Sequence, residues 1–171
     1  MPDMLVRLYD LPCSDSLLAS LKEQGISIQR AMAPDKMRVL SWIGEHSSPA
    51  AQGEADVCFA RHPISLFLAV KEKQILGYAC YHATALDFFG PTRVLDSMQG
   101  KGIGKALVLD SMEKAKILGF RILQFNAVLT TNQGALHLYH ALGFEDLGVI
   151  QGGFAYSDGS FVDIQPMVKY L

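Results

Sequence analysis

Between residues 94 and 104 the chain reads VLDSMQGKGIG, and three alternating glycines, Gly100, Gly102 and Gly104, occupy the second half of this stretch. The apolar residues before it predict a short strand at 92–95, and those after it predict a helix that extends to residue 118. Backbone N–H groups left open by glycine at the start of a helix can bind an anion such as a pyrophosphate, assisted by the helix dipole. The pattern therefore predicts a phosphate cradle, with an ordinary flexible turn as the alternative.

Two common phosphate-binding loops are excluded by their spacing. A dinucleotide-binding loop of the form G-x-G-x-x-G requires glycine where Lys105 stands. A P-loop requires Ser or Thr directly after its Gly-Lys pair, whereas Ala106 follows Gly104-Lys105. The sequence therefore indicates neither NAD nor ATP.

The elements on either side of this loop predict a layered α/β or α+β domain with a mixed sheet. The helix after the loop is apolar around most of its circumference, so it must pack on more than one side. The other predicted strands are 5–9, 26–32, 65–70, 75–82, 121–129, 144–150 and 161–168. The other predicted helices are 14–24, 33–43 and 132–143, with a loop or mobile lid at 45–54 and a second loop at 152–160.

The bulk composition predicts one globular domain in the cytoplasm. With 171 residues, 50% of them hydrophobic, the chain can bury a core without disulfides or metals. A net charge of −2 without a basic cluster argues against nucleic-acid partners. No signal peptide or membrane-spanning run is recognisable, so neither secretion nor a membrane is expected.

The three cysteines, Cys13, Cys58 and Cys80, are odd in number and far apart. Such an arrangement predicts neither a disulfide framework nor a zinc site, and it suits a reducing compartment. We expect all three to be buried small hydrophobic residues. The alternative is a catalytic thiol at Cys80 with His82 as its basic partner.

Two sequence blocks resemble the GCN5-related N-acetyltransferase (GNAT) superfamily. The run at 94–104 is similar to its strand-plus-loop signature, Gln/Arg-x-x-Gly-x-Gly/Ala preceded by a valine. The second block follows the family pattern N-x-x-A-x-x-L-Y-x-x-x-G-F, matched by Asn132, Ala135, Leu138, Tyr139, Gly143 and Phe144. The resemblance covers about residues 26–168, which leaves residues 1–24 as an N-terminal extension to the core at 25–171.

The resemblance implies the GNAT-like fold, in which a mixed central sheet flanked by helices has two splayed middle strands. The strands ending near Val94 and Val128 would separate and admit the pantetheine arm of acetyl-CoA. The implied cofactor-binding residues are Val94, Leu95, Gln99, Gly100, Lys101, Gly102, Ile103, Gly104, Lys105 and Asn132.

Tyr139 matches the family tyrosine that protonates the departing CoA thiolate. The implied reaction is direct transfer of an acetyl group from acetyl-CoA to a primary amine, without a metal. From its place on the apolar stripe of its helix, Tyr139 is alternatively an ordinary core residue.

The general base and the acceptor stay open at this stage. Some relatives carry a glutamate at the position of Phe88, so His82, Asp87, Asp163 and a water chain are the remaining candidates for the base. The acceptor is a small-molecule or peptide amine. The alternatives to this enzyme are a degenerate CoA-binding regulatory module and a transferase of longer acyl groups, and a homodimer is possible.

Overall fold

The computed structural model describes residues 3–7, 13–86, 88–126, 128–142, 145–156 and 158–168. The helices in these ranges are α1 Asp15–Glu23, α2 Lys36–His46, α3 Pro49–Phe59, α4 Ile103–Ile117 and α5 Gln133–Ala141. The strands are β1 Asp3–Arg7, β2 Ser27–Arg30, β3 Leu66–Lys71, β4 Gln74–Tyr81, β5 Phe89–Val94, β6 Ile122–Asn126, β7 Val128–Leu129, β8 Glu145–Asp146, β9 Ile150–Ala155, β10 Phe161–Gln165 and β11 Met167–Val168.

The central sheet has four antiparallel strands in the order β2-β3-β4-β5. A second group of strands comprises the pairs β1-β6 and β8-β11 and the sheet β7-β10-β9. The predicted α/β layered fold is therefore confirmed. The sheet was predicted to be mixed, whereas every strand pairing among the described residues is antiparallel. β5 and β6 lie near each other without pairing in the described part of the chain, as splayed strands would.

Helices cover both faces of the central sheet. Along β3, Leu66 and Leu68 belong to the apolar cluster under α2 and α3, whereas Phe67 and Ala69 belong to the cluster under α1 and α4. This alternation follows from the period of two residues in a strand. Because both faces are covered, β3 and β4 are almost continuously apolar.

α4 is the most deeply buried helix. Its buried residues are Ile103, Ala106, Leu107, Val108, Leu109, Asp110, Ser111, Met112 and Ala115. They lie around more than one side of the helix, as its apolar sequence predicted. α1 packs against this side of the sheet through Leu21, which is 1% exposed, so described residues of the N-terminal extension contribute to the same apolar cluster.

The prediction of a loop or lid at residues 45–54 is wrong, because α2 continues to His46 and α3 begins at Pro49. Ser48 caps α3, since its side chain accepts a hydrogen bond from the Ala51 N–H at 3.1 Å. Proline is favourable in the first turn of a helix, and the alanines that follow are strong helix formers. The small and polar residues at 48–51, which indicated a loop, in fact begin a capped helix.

Two further predictions need correction. The predicted loop at 152–160 is in part strand, because β9 extends to Ala155 and pairs with β10 in a hairpin. Cys13 was expected to be buried and is exposed, whereas Cys58 and Cys80 are buried as predicted. Asp87, Gly143 and Phe144 lie outside the described residues, and so do positions 8 and 9 of the first predicted strand and position 127 of the predicted strand 121–129.

Gly77 sets how closely β4 and β5 approach. A Cβ atom at this position would lie 2.7 Å from the carbonyl oxygen of Arg93 in β5, which is shorter than any tolerated contact. We predict that Gly77→Ala lowers the free energy of unfolding by about 1–3 kcal/mol, the usual cost of overpacking. Chemical denaturation measures this change.

Gly53→Ala is the matched control, because Gly53 lies in α3 with no atom near the added Cβ. That substitution should stabilise the protein by about 0.5–1 kcal/mol, since alanine is the better helix former. Equal stability of the two variants would contradict the close approach of β4 and β5.

Candidate active site

The glycine loop ends at an open helix N-terminus. Gly100 and Gly102 have φ angles of 76° and 82°, a conformation that favours glycine. Gly102 is the N-cap of α4, and no side chain caps this helix end. The first N–H groups of α4 therefore have no acceptor from a cap, and the helix dipole favours a negative charge there. This geometry suits an anion such as a phosphate.

One glycine of the loop, Gly102, also leaves room for a side chain of the neighbouring helix α1. A Cβ atom on Gly102 would lie 2.9 Å from Cδ1 of Leu17 in α1. Gly104 differs, because a Cβ atom there would make ordinary contacts of 3.7 Å with Val94 of β5 and Leu138 of α5. The end of β5, the start of α4 and the middle of α5 therefore meet around Gly104.

Gln99 and Asn132 approach the same point at the start of α5. A Cβ atom on Gly134 would lie 3.9 Å from Oε1 of Gln99 and 3.8 Å from Oδ1 of Asn132. The Asn132 side chain caps α5 by accepting a hydrogen bond from the Ala135 N–H at 3.1 Å. The Gln99 side chain donates to Oδ1 of Asp96 at 2.8 Å. The two predicted cofactor contacts are thus neighbours, and each also has a role within the fold.

The other predicted cofactor residues border this junction. Val94 and Leu95 are half-buried against the core, and the Leu95 N–H donates to the Leu76 carbonyl at 2.9 Å. The side chain of Ile103 is buried, that of Lys105 half-buried and that of Lys101 exposed. The two lysines lie in the first turn of α4 or directly before it, where their positive charge would favour a nearby anion.

A cavity of about 230 Å³ lies beside β5 and contains Tyr139 in its wall. Its lining residues are Glu54, Thr84, Phe88, Phe89, Gly90, Pro91, Thr92 and Tyr139. They come from α3, from the connection after β4, from β5 and from α5. Tyr139 is therefore not only a core residue, although it also belongs to the apolar cluster on the α4 side of the sheet.

Tyr139 is 7% exposed. Burial raises the pKa of its hydroxyl well above the ordinary value, because the phenolate would lose its hydration. The hydroxyl is consequently protonated throughout the neutral pH range. A group in this state can donate a proton and cannot serve as a base.

His82 and Asp163, the two candidate bases among the described residues, do not line this cavity. The ring of His82 lies against Phe120, with ring centroids 4.1 Å apart, and Asp163 accepts a hydrogen bond from the Gly152 N–H at 2.8 Å. Asp87 lies outside the described residues. Burial raises the pKa of the Cys80 thiol well above its ordinary value, which disfavours the thiolate that a catalytic cysteine needs.

Sequence reasoning missed Glu54, which α3 places in the wall of the cavity. The cause is the mistaken loop at residues 45–54, since a carboxylate at the end of a loop has no predictable position. The Ser48-Pro49 pair followed by two alanines is the signal that would have revealed the helix. Phe88, by contrast, lies beside the cavity as its position in the sequence suggested.

The sequence of this chain matches one family model. The sequence model of the Acetyltransferase (GNAT) family matches residues 31–144. A search of curated protein sequences finds no match.

Three solved structures with a similar fold are all acetyltransferases by name. An acetyltransferase of the GNAT family from Streptococcus pneumoniae is 22% identical, with a TM-score of 0.65 over 83% of this chain and 97% of the other. The yncA putative acetyltransferase from Salmonella typhimurium, solved with its cofactor acetyl-CoA, is 16% identical, with a TM-score of 0.64 over 83% and 91%. An agmatine N-acetyltransferase is 12% identical, with a TM-score of 0.60 over 82% and 97%. At these identities the structures show a shared fold.

The described residues lack two kinds of feature. They contain no cluster of three or more His, Cys, Asp or Glu side chains arranged to hold a metal ion. They also contain no helix that is both long enough and apolar enough to cross a membrane.

The cap at Asn132 can be tested separately from any role in binding. We predict that Asn132→Ala lowers the free energy of unfolding by about 1 kcal/mol, because α5 loses its N-cap hydrogen bond. Asn132→Asp keeps an acceptor oxygen and should retain most of the stability. Thermal unfolding of both variants measures the difference. Equal destabilisation by the two substitutions would contradict the cap.

Proposed function

The chain belongs to the Acetyltransferase (GNAT) family, and we propose that it transfers an acetyl group from acetyl-CoA to a primary amine by direct attack, with Tyr139 as the general acid. The observation that carries this proposal is the place of Tyr139 in the wall of the cavity beside β5. An acetyl-CoA-dependent transferase activity follows from the family. The amine acceptor and the role of Tyr139 are the proposed parts.

Direct transfer makes specific demands on the protein. Acetyl-CoA supplies an acyl carbon already activated as a thioester. The protein must hold the amine against that carbon, and it must provide a proton for the departing sulfur. An ammonium acceptor loses two protons in forming the amide. In the net balance, one of them replaces the proton that the donor gives to sulfur, and the other goes to solvent.

Tyr139 has the properties of the proton donor. The residue is only 7% exposed. Burial raises the pKa of its hydroxyl and so keeps the hydroxyl protonated. A phenol of this kind is a weak acid, so it transfers its proton only as the C–S bond breaks and negative charge builds up on sulfur. The residue that accepts a proton from nitrogen is not assigned.

The glycine loop is the proposed phosphate site. The uncapped start of α4 offers backbone N–H groups from Ile103 onward, and Gly100 leaves open space where a Cβ atom would lie. We assign the pyrophosphate to Gln99, Gly100, Lys101, Gly102, Ile103, Gly104 and Lys105. Val94, Leu95 and Asn132 lie next to this loop and are assigned to the acyl-pantetheine arm and the mouth of its channel.

The acceptor is proposed to be a small-molecule or peptide amine, and one protein of similar fold is named for agmatine. A cytoplasmic location and a homodimer stay predictions from the sequence. A screen of amines with acetyl-CoA, measuring free thiol above the hydrolysis background, tests the activity. Tight binding of acetyl-CoA without thiol release for any amine would contradict the proposal and favour a regulatory module.

Gly104→Val tests the cofactor site, with Gly104→Ala as its control. The loop signature admits glycine or alanine at this position, and a Cβ atom there would contact Val94 and Leu138 at an ordinary 3.7 Å. Gly104→Ala should therefore keep both the stability and the affinity for acetyl-CoA. The two further methyl groups of valine would stand where the cofactor must approach the backbone. We therefore predict that the dissociation constant of Gly104→Val for acetyl-CoA rises about tenfold or more, a loss of at least about 1.4 kcal/mol.

Acetyl-CoA should raise the melting temperature of the wild type, because at a hundredfold excess over Kd a ligand adds about 2.7 kcal/mol of stability. Gly53→Ala provides the control for glycine replacement in a helix away from the loop. Unchanged affinity in a folded Gly104→Val variant would reduce the glycine loop to a turn.

Tyr139→Phe tests the general acid. The substitution retains the ring within the apolar cluster and removes only the hydroxyl. We predict that kcat falls about 10²–10⁴-fold, the usual contribution of general acid catalysis, with the affinity for acetyl-CoA nearly unchanged. A purely structural role predicts near-normal kcat and a stability loss of about 1 kcal/mol. Measuring kcat, Kd and Tm on one preparation separates the two.

A further inference from the structure

The cavity that contains Tyr139 has one charged side chain in its wall. Among the described lining residues only Glu54 carries a charge, and the neighbouring positions are aromatic, proline, glycine or threonine. Glu54 comes from α3, and most of the other lining residues belong to β5. Its partial exposure contrasts with the 7% exposure of Tyr139. The carboxylate therefore lies nearer to solvent than the phenol does.

α3 holds this carboxylate in a fixed position. The helix is anchored by buried Ala51, Ala55 and Cys58, which pack on the central sheet. The hydroxyl of Thr84 donates a hydrogen bond of 2.6 Å to Oε1 of Glu54. A carboxylate has about four acceptor positions on its two oxygens, so the contact with Thr84 leaves capacity for a ligand.

No basic side chain of the described residues forms an ion pair with Glu54. The ion pairs found there involve other carboxylates, such as the pair between Lys36 and Asp56 at 2.6 Å. A half-buried carboxylate without a counter-ion in a small cavity favours a cation from outside. The ligand that satisfies Glu54 should therefore be positively charged.

The reacting nitrogen cannot be that cation during attack, because an amine must be neutral to be a nucleophile. A carboxylate gains little from a neutral amine and much more from a group that stays charged. On the basis of the proposed amine acetylation, we infer that Glu54 binds a second group of the acceptor, one that stays cationic while the first nitrogen reacts. The substrate class is then a primary amine that carries another ammonium or guanidinium group.

In this arrangement Glu54 determines specificity and Thr84 is a positioning residue. The acceptor spans the cavity with its charged group at Glu54 and its neutral amine on the side of Tyr139. The methylene groups between the two nitrogens lie against Phe88, Phe89 and Pro91. No proton passes through Glu54 in this role.

Matched acceptors test the inference. Each α,ω-diaminoalkane is compared with the n-alkylamine of the same chain length, and kcat/KM is measured for wild type and Glu54→Gln. We predict that the wild type prefers the diamine and that Glu54→Gln lowers the diamine-to-monoamine ratio about 10- to 100-fold, as expected for the loss of a hydrogen bond between charged groups. The loss should lie mainly in KM. Thr84→Val should lower the same ratio to a smaller extent.

Asp56→Asn is the matched control, because it removes the same charge from the same helix outside the cavity and breaks only the exposed pair with Lys36. The ratio should remain that of the wild type. The Kd for acetyl-CoA and the Tm of each variant show whether the variant is folded. Because the diamine-to-monoamine ratio compares two acceptors on the same preparation, it does not depend on the total activity of that preparation.

Three results would overturn the inference alone. They are a wild type that acetylates monoamines as well as diamines, an equal loss for both acceptors in Glu54→Gln, and an equal change of the ratio in Asp56→Asn. An equal loss for both acceptors would assign Glu54 to every amine, as a base or a structural residue. A wild type that binds acetyl-CoA and acetylates no amine contradicts the proposed function, and the inference with it.

Discussion

Burial of α4 on more than one side is the constraint on which the rest of the site depends. The helix packs on the central sheet and contacts α1, so its axis cannot turn without opening the core. Its N-terminus is thereby fixed next to the end of β5 and the start of α5. The N-terminal end of α4, which is the proposed anion site, therefore has a defined position relative to Tyr139, although these elements are separated along the chain.

The glycine loop serves the fold and the site at once. Gly102 has positive φ and also leaves room for Leu17 of α1. Gly104 is in regular helix and meets no close neighbour, so the fold alone does not require glycine there. A binding partner that approaches the backbone would require a small residue there. The contrast between two glycines only two residues apart separates a structural demand from a functional one.

The two titratable side chains that the structure describes in the cavity wall come from different helices. α5 contributes a buried phenol whose pKa is raised, and α3 contributes a carboxylate that retains contact with solvent. β5, which also lines the cavity, is the edge of the central sheet and is unpaired on one side in the described residues. An edge strand with free backbone groups next to a cavity is a suitable place for an extended ligand. The three elements meet only because the sheet is covered by helices on both faces.

The sequence by itself determined the local features, because they depend on neighbours in the chain. Short-range patterns indicate the glycine loop, the apolar helix after it, the strands β3 and β4 and the start of a helix near Asn132. It also determined the family, through two motif blocks with fixed internal spacing. Only the tertiary structure decided which distant side chains share a cavity. Glu54 and Tyr139 are 85 positions apart in the numbering. Their meeting depends on the packing of α3, whose first part, up to Glu54, the sequence prediction had assigned to a loop. Packing between distant elements leaves no periodic trace in a single sequence, so only the tertiary structure could show which side chains form the wall of this cavity.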